Sequence, residues 1–191
     1  MAPLDLFART GLPDEIALLR AAHPRETWQG HVRLGTTARF WLERHRMFRD
    51  LGDQLGAGAG ALAAGTVDGR RFMTWFAPRI RLYLGELHGH HTVEDHHYFP
   101  VFRAADPRLA RGFEILDADH HAIDGLIHEL ADGAGALMEA LRGRGETARA
   151  VETLTLTLGR SLSGIARHLD DEEDLVVPLI LERTEEGLGI G

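Results

Sequence analysis

Two stretches of the chain set a histidine four residues before a glutamate and a proline six residues after that glutamate. They are His90-x-x-x-Glu94 with Pro100, and His168-x-x-x-Glu172 with Pro178. On a helix, residues four apart share a face and lie about 6 Å apart along the axis. Each stretch therefore directs one imidazole and one carboxylate at the same point. Imidazole nitrogen mixed with carboxylate oxygen suits iron, manganese or zinc. A single His/Glu pair at this spacing is also an ordinary surface ion pair. The repetition, with the same proline offset, is what favours a metal centre.

Two lone histidines extend the repeat. His45 precedes His90 by 45 residues, and His120 precedes His168 by 48. Each half is then a helix with one inward histidine followed by a helix with a His/Glu pair. Two such halves related by approximate two-fold symmetry set two metals side by side. Each metal takes one lone and one paired histidine, and Glu94 and Glu172 bridge between them. Read singly, His45 and His120 are ordinary buried or surface histidines; only the repeat assigns them. Asp124 shares a face with His120 and reads as a ligand or as an acceptor for an imidazole N–H. Asp95 and Glu173 follow the bridging positions and read as solvated or as outer hydrogen-bond partners, with Glu173 turned away from the site. His121 reads as a neighbour of the centre, and His88, His96, His97 and His128 as a polar face. Trp41, Phe48, Phe76, Tyr98 and Phe99 read as core and as an apolar wall around the metals.

Composition removes several other chemistries. The 191 residues contain no cysteine, which excludes disulfides, thiolate zinc sites, iron–sulfur clusters and cysteine nucleophiles. The net charge is −8, and without a basic stripe nucleic acid is not an expected partner. No run approaches the roughly 18 apolar residues of a membrane span. The start, Met1-Ala2-Pro3-Leu4-Asp5, lacks the basic and apolar regions of a signal peptide. The expectation is a cytoplasmic protein without a membrane partner. Hydrophobic content of 44% and charged content of 26% fit an ordinary globular domain.

The elements that must position these residues follow from apolar period. Four stretches show helical spacing and none alternates as a strand. The first covers about residues 31–55 and stops in Gly56-Ala57-Gly58-Ala59-Gly60. The segment 56–65 reads as a linker, since it lacks the Gly-Lys-Ser/Thr ending of a phosphate loop. The second covers about residues 71–103. The third starts at Asp106-Pro107, an N-cap followed by a first-turn proline, and reaches Leu141 past a weak point at Asp132-Gly133-Ala134-Gly135. The fourth covers about residues 146–185. Four long helices with short connections predict an all-α fold, an antiparallel up-down-up-down four-helix bundle over residues 31–191. Residues 1–30 read as an N-terminal appendage with a short helix near 14–22 and no assignable role.

At this point the chain resembles the hemerythrin-like, or HHE cation-binding, domain family over about residues 31–185. The resemblance rests on Glu43-Arg44-His45, on His90-x-x-x-Glu94 with Tyr98-Phe99-Pro100, and on Asp119-His120 with Ile123-Asp124. It rests also on His168-x-x-x-Glu172 with Val177-Pro178, and on the order of these motifs along four helices. It implies a bundle around a non-haem di-iron centre, with two iron ions, oxo- or hydroxo-bridged, in preference to zinc or manganese. His45, His90, Glu94, His120, His168 and Glu172 match the family's core ligands. Oxygen-carrying members use two histidines four apart on the third helix, whereas here the residue four after His120 is Asp124. His91, directly after the paired histidine of the second helix, is the expected substitute for the missing fifth histidine. The rival ferritin-like di-iron fold needs two Glu-x-x-His motifs; Glu94-x-x-His97 supplies one and the fourth helix none.

The resulting functional expectation is binding of dioxygen, peroxide or nitric oxide, for oxygen or iron handling or stress defence. The alternative is a di-iron enzyme with peroxidase-, catalase- or nitric-oxide-reductase-like activity. A structural metal-binding protein with zinc is a third reading. The residues name no catalytic group.

Overall fold

The computed structural model describes residues 4–191. Its long elements are α1 (Thr36–Ala63), α2 (Gly69–Val93), α4 (Ala110–Leu141) and α5 (Thr147–Arg183), with the short α3 (Phe99–Ala105) and α6 (Glu185–Leu188). A π-helical turn, Glu94–Tyr98, joins α2 to α3, and a 3-10 turn, Pro107–Leu109, leads into α4. No described residue lies in a strand. The all-α expectation is met.

The chain forms two compact units. One comprises residues up to Arg46 with His91–His121 and Ala166–Gly191; the other comprises Met47–His90 and Ala122–Ile165. In the first, Trp41, Phe99, Phe102, Phe113, Leu116 and Leu175 are buried together, and Leu12, Ile16 and Trp28 from the N-terminal segment join the same core. In the second, Phe48, Phe72, Phe76, Tyr83, Ile123 and Leu158 are buried. Each such side chain contributes about 1.5–3 kcal/mol of transfer free energy.

Three expectations about the elements need correction. The Gly/Ala stretch after Leu55 is not a linker, because α1 continues through it to Ala63. A Cβ on Gly58 would lie 2.5 Å from the Trp75 ring, and one on Gly52 would lie 2.7 Å from Leu162. These glycines let other helices approach α1, so here glycine marks close packing rather than a break. The helix also starts at Thr36, five residues later than expected. Its first turn is capped from far along the chain: the Ala38 N–H donates to Glu185 Oε1 at 2.8 Å, and a Cβ on Gly35 would collide with that carboxylate. Finally, residues 14–22 form successive turns rather than a helix. There the Arg20 guanidinium donates to the Leu12 carbonyl at 3.2 Å, a tertiary tie in place of helical continuity.

The third helix passes through Asp132-Gly133-Ala134-Gly135 without a break. The two copies of the His/Glu motif differ in backbone. Pro178 sits inside a continuous α5. In the first copy the Phe99 N–H donates to the Glu94 carbonyl, closing the wide turn ahead of Pro100. Such π turns add one residue to the helical circuit and recur at functional sites.

Candidate metal centre

The helical spacing works as the pattern predicts within each motif. His168 and Glu172, one turn apart in α5, are both fully buried, and His168 Nε2 lies 3.2 Å from Glu172 Oε2. That oxygen makes no aligned hydrogen bond. An imidazole nitrogen and a carboxylate oxygen held this way in a dry core are a pair of donors facing a common point.

Two groups of donor atoms arise around this pair. His91, His120 and His168 form one; His45, His90, Glu94 and Glu172 form the other, with the donor atoms of each group within 4.8 Å of one another. All seven residues singled out from the sequence therefore fall in these groups. His90, the α2 residue that ends one unit, is peptide-bonded to His91, which begins the next stretch of the other. His91 stacks on His120 with ring centroids 4.0 Å apart, and His120 Nε2 lies 3.1 Å from His168 Nε2. His120 Nε2 also approaches Glu94 Oε2 at 3.6 Å, and His45 Nε2 approaches Glu172 Oε1 at 3.5 Å. The donor chemistry, three imidazoles in one group and two imidazoles with two carboxylates in the other, fits first-row transition metals.

Three imidazoles are fixed from behind by carboxylates. Nδ1 of His45 donates to Glu173 Oε1 at 3.0 Å, Nδ1 of His120 to Asp95 Oδ1 at 2.7 Å, and Nδ1 of His168 to Asp119 Oδ2 at 3.3 Å. A carboxylate can only accept, so each contact places a proton on Nδ1 and turns Nε2 towards the centre, where a cation can replace any proton it carries. This arrangement sets the tautomer and raises the basicity of a metal-binding histidine. Trp41 adds a donor, its Nε1–H reaching Glu172 Oε1 at 2.6 Å. Phe99 stacks on His120 at 5.3 Å, Phe48 lies 5.1 Å from His90 and Trp41 6.3 Å from His45, whereas Phe76 packs on Phe72 and Tyr98 on Trp41.

Glu173 departs from expectation. It is not turned away: it is only 4% exposed and joins His45 to Arg25, whose Nη1 donates to Glu173 Oε2 at 2.6 Å. Asp95 meets the second of its two readings, as an outer hydrogen-bond partner of His120. Asp124 faces outwards, with Oδ1 3.4 Å from Nδ1 of the exposed His88. His121 donates to the Asp117 carbonyl and His96 to the Thr92 carbonyl, both on exposed faces. His97 is also exposed while Glu94 is buried, so the ferritin-like Glu-x-x-His pair does not share the centre.

The sequence reading missed Arg9. This buried side chain from the N-terminal segment forks onto Asp119, with Nη1–Oδ1 at 2.9 Å and a second bond from Nη2 to Oδ2, while Nε donates to Asp171 Oδ2 at 2.7 Å. Removing one partner of such a buried ion pair typically costs about 3–5 kcal/mol. No local signal announces it, because 110 residues separate Arg9 from Asp119.

Charge in the centre is balanced by protons when no cation is bound. Burial pushes the Glu94 carboxyl well above the usual range, and the neighbouring Glu172 charge pushes it further. Burial would also raise Glu172, yet the adjacent His45 and His168 outweigh it and hold that carboxyl well below the usual range. Burial opposes the charged form of His168, but Asp119 and Glu172 prevail and raise it to about 9. His45 is raised by Glu172 and Glu173 against its burial, whereas burial and the His168 charge lower His120. A cation entering this cluster replaces protons as the counter-charge.

The family model for the hemerythrin HHE cation-binding domain matches residues 36–185. No curated protein and no solved structure matches the chain. No helix among the described residues is long and apolar enough to cross a membrane.

Proposed function

Because this chain belongs to the hemerythrin HHE cation-binding domain family, we propose that it holds two iron ions and binds dioxygen, or a related small ligand such as peroxide or nitric oxide, beside them. The ligands are His91, His120 and His168 on one side and His45, His90, Glu94 and Glu172 on the other. The observation that carries this reading is the convergence of these seven side chains, six buried and His90 half-buried, into two donor groups. The four long helices, joined by short connections, are read as an antiparallel up-down-up-down bundle over residues 31–191, with residues 1–30 as its N-terminal appendage.

Iron ligated by imidazole and carboxylate supplies one-electron redox chemistry and an affinity for small oxygen and nitrogen ligands. The chain's own residues do the rest. Glu173, Asp95 and Asp119 hold the protons of three imidazoles on Nδ1, so Nε2 of each is presented without a tautomer change. Glu94 and Glu172 belong to the second group and approach His120 and His168 of the first at 3.6 and 3.2 Å, so their anionic oxygen would offset repulsion between two cations in a low-dielectric core. Phe48, Trp41 and Phe99 keep bulk water from the cluster. We place the protein in oxygen or iron handling, or stress defence, in the cytoplasm.

The test is metal analysis with an absorption spectrum of aerobically purified protein. Two irons per chain, with the near-ultraviolet bands of bridged ferric ions, are expected. Zinc in place of iron, or one metal per chain, would overturn the di-iron reading. Turnover assays with peroxide and nitric oxide then separate binding from catalysis.

A further inference from the structure

Residues 1–30 have no evident part in a metal-binding bundle, yet two of their arginines reach its charged interior. Arg9 grips the Asp119 carboxylate with both terminal nitrogens, and Asp119 accepts the Nδ1–H of His168. Arg25 donates from Nη1 to Glu173 Oε2, and Glu173 Oε1 accepts the Nδ1–H of His45. Both are three-part relays of arginine, carboxylate and imidazole, and both start in the N-terminal segment. Each also has an anchor: Arg9 Nε holds Asp171 at 2.7 Å, and Arg25 Nη2 holds the Asp170 carbonyl at 2.5 Å. Arg20 enters the same region but binds Asp14 and Asp174; Asp174 also accepts from Arg25 Nε at 2.7 Å, and neither carboxylate accepts from an imidazole among the described residues.

We propose that the N-terminal segment is a positioning device for the metal centre, with Arg9 and Arg25 as positioning residues that each orient one imidazole through one carboxylate. The Arg9 fork clamps both oxygens of Asp119, so that carboxylate cannot rotate. Arg25 holds only Glu173 Oε2 and is itself fixed by Asp174 and the Asp170 carbonyl. In both cases the remaining carboxylate oxygen orients the ring it serves. The two relays end on different donor groups: His168 belongs with His91 and His120, and His45 with His90, Glu94 and Glu172. The arginines therefore act on separate metal positions. This inference rests on the reading that these imidazoles bind metal.

The test uses the full-length chain, stripped of metal and titrated with cobalt(II), followed by chelator competition and by the paramagnetically shifted ring N–H signals of ligated histidines. The wild type should take two cobalt ions and show protected Nδ1–H signals for His45 and His168. Arg9→Gln should lose the His168 signal and weaken one binding step by about 10- to 100-fold, the range seen when outer partners of metal-bound histidines are removed. Arg25→Gln should do the same to the His45 signal and the other step. Arg20→Gln should leave both signals in place. Should Arg9→Gln fail to fold, Arg9→Lys reads the same signal with the charge kept and the fork lost, and Arg25→Gln remains decisive alone. Variants that keep both signals, or that lose both together, overturn the inference. A wild type that takes up no cobalt overturns the metal-centre reading instead.

Discussion

The carboxylate of Glu173 accepts the Nδ1–H of His45 at 3.0 Å, while its neighbour Glu172 presents Oε2 to His168 Nε2 on the other side. Consecutive residues of one helix thus serve a histidine from behind and a donor group from the front. Glu172→Ala should lower bound metal from about two per chain towards one or none. Glu173→Gln should keep two per chain but weaken binding by about 10-fold or more. Metal analysis after dialysis against graded chelator checks both. Equal stoichiometric loss in the two variants would refute this division of roles.

Glu94 stores electrostatic strain in the metal-free protein. Its folded carboxyl is raised by burial and by Glu172, so the folded state holds a proton that the unfolded chain gives up near the ordinary glutamate value. By linkage, metal-free stability falls as pH rises above that value. Glu94→Gln should therefore raise the melting temperature of chelator-treated protein, by about 2–4 °C per kcal/mol relieved, and raise it more at pH 8 than at pH 5. The same variant should bind less metal. A metal-free Glu94→Gln protein that melts below the wild type would contradict the argument.

Asp106 gives the opposite pH dependence away from the centre. It caps the turn before α4 and pairs with Arg108, which holds its carboxyl at about 2. A depressed folded value means its contribution is complete above the ordinary aspartate value near 4 and is lost as pH falls through about 2. Melts of wild type and Asp106→Asn between these limits should converge towards the acid end. A gap that stays constant with pH would show that the charge is not what stabilises the turn.

The glycines of α1 separate packing from propensity. A Cβ on Gly58 would overlap the Trp75 ring, whereas one on Gly60 meets nothing within 4 Å. Gly60→Ala should stabilise by about 1 kcal/mol through helix propensity. Gly58→Ala should destabilise unless Trp75 moves, and its tryptophan fluorescence should shift. Equal effects of the two substitutions would remove the packing explanation.

Metal and fold should be coupled. The centre gathers buried carboxylates and imidazoles that repel or trade protons without a cation. Chelation should lower the melting temperature of the wild type, and re-addition of metal should restore it. Indifference of the melt to chelator would show that the cluster is satisfied without metal.

The spacing of residues along the chain carried the chemistry. A histidine and a glutamate four apart on a helix face the same way whatever surrounds them, so the donors of both motifs were legible before any fold was known. The same period marked the four long helices, because a buried stripe recurs every 3.6 residues. What lay outside local period was not legible. Gly58 read as part of a linker, since its role depends on Trp75 of another helix. Glu173 read as turned away from the site, solvated or an outer partner, and only the tertiary structure shows it buried between His45 and Arg25. Arg9 and Asp119 are far apart in sequence, and only burial in a common core makes their pairing worth the loss of solvation. Helical geometry decided which side chains point at one spot; the tertiary structure decided which carboxylate stands behind each imidazole, because that depends on where distant segments come to rest.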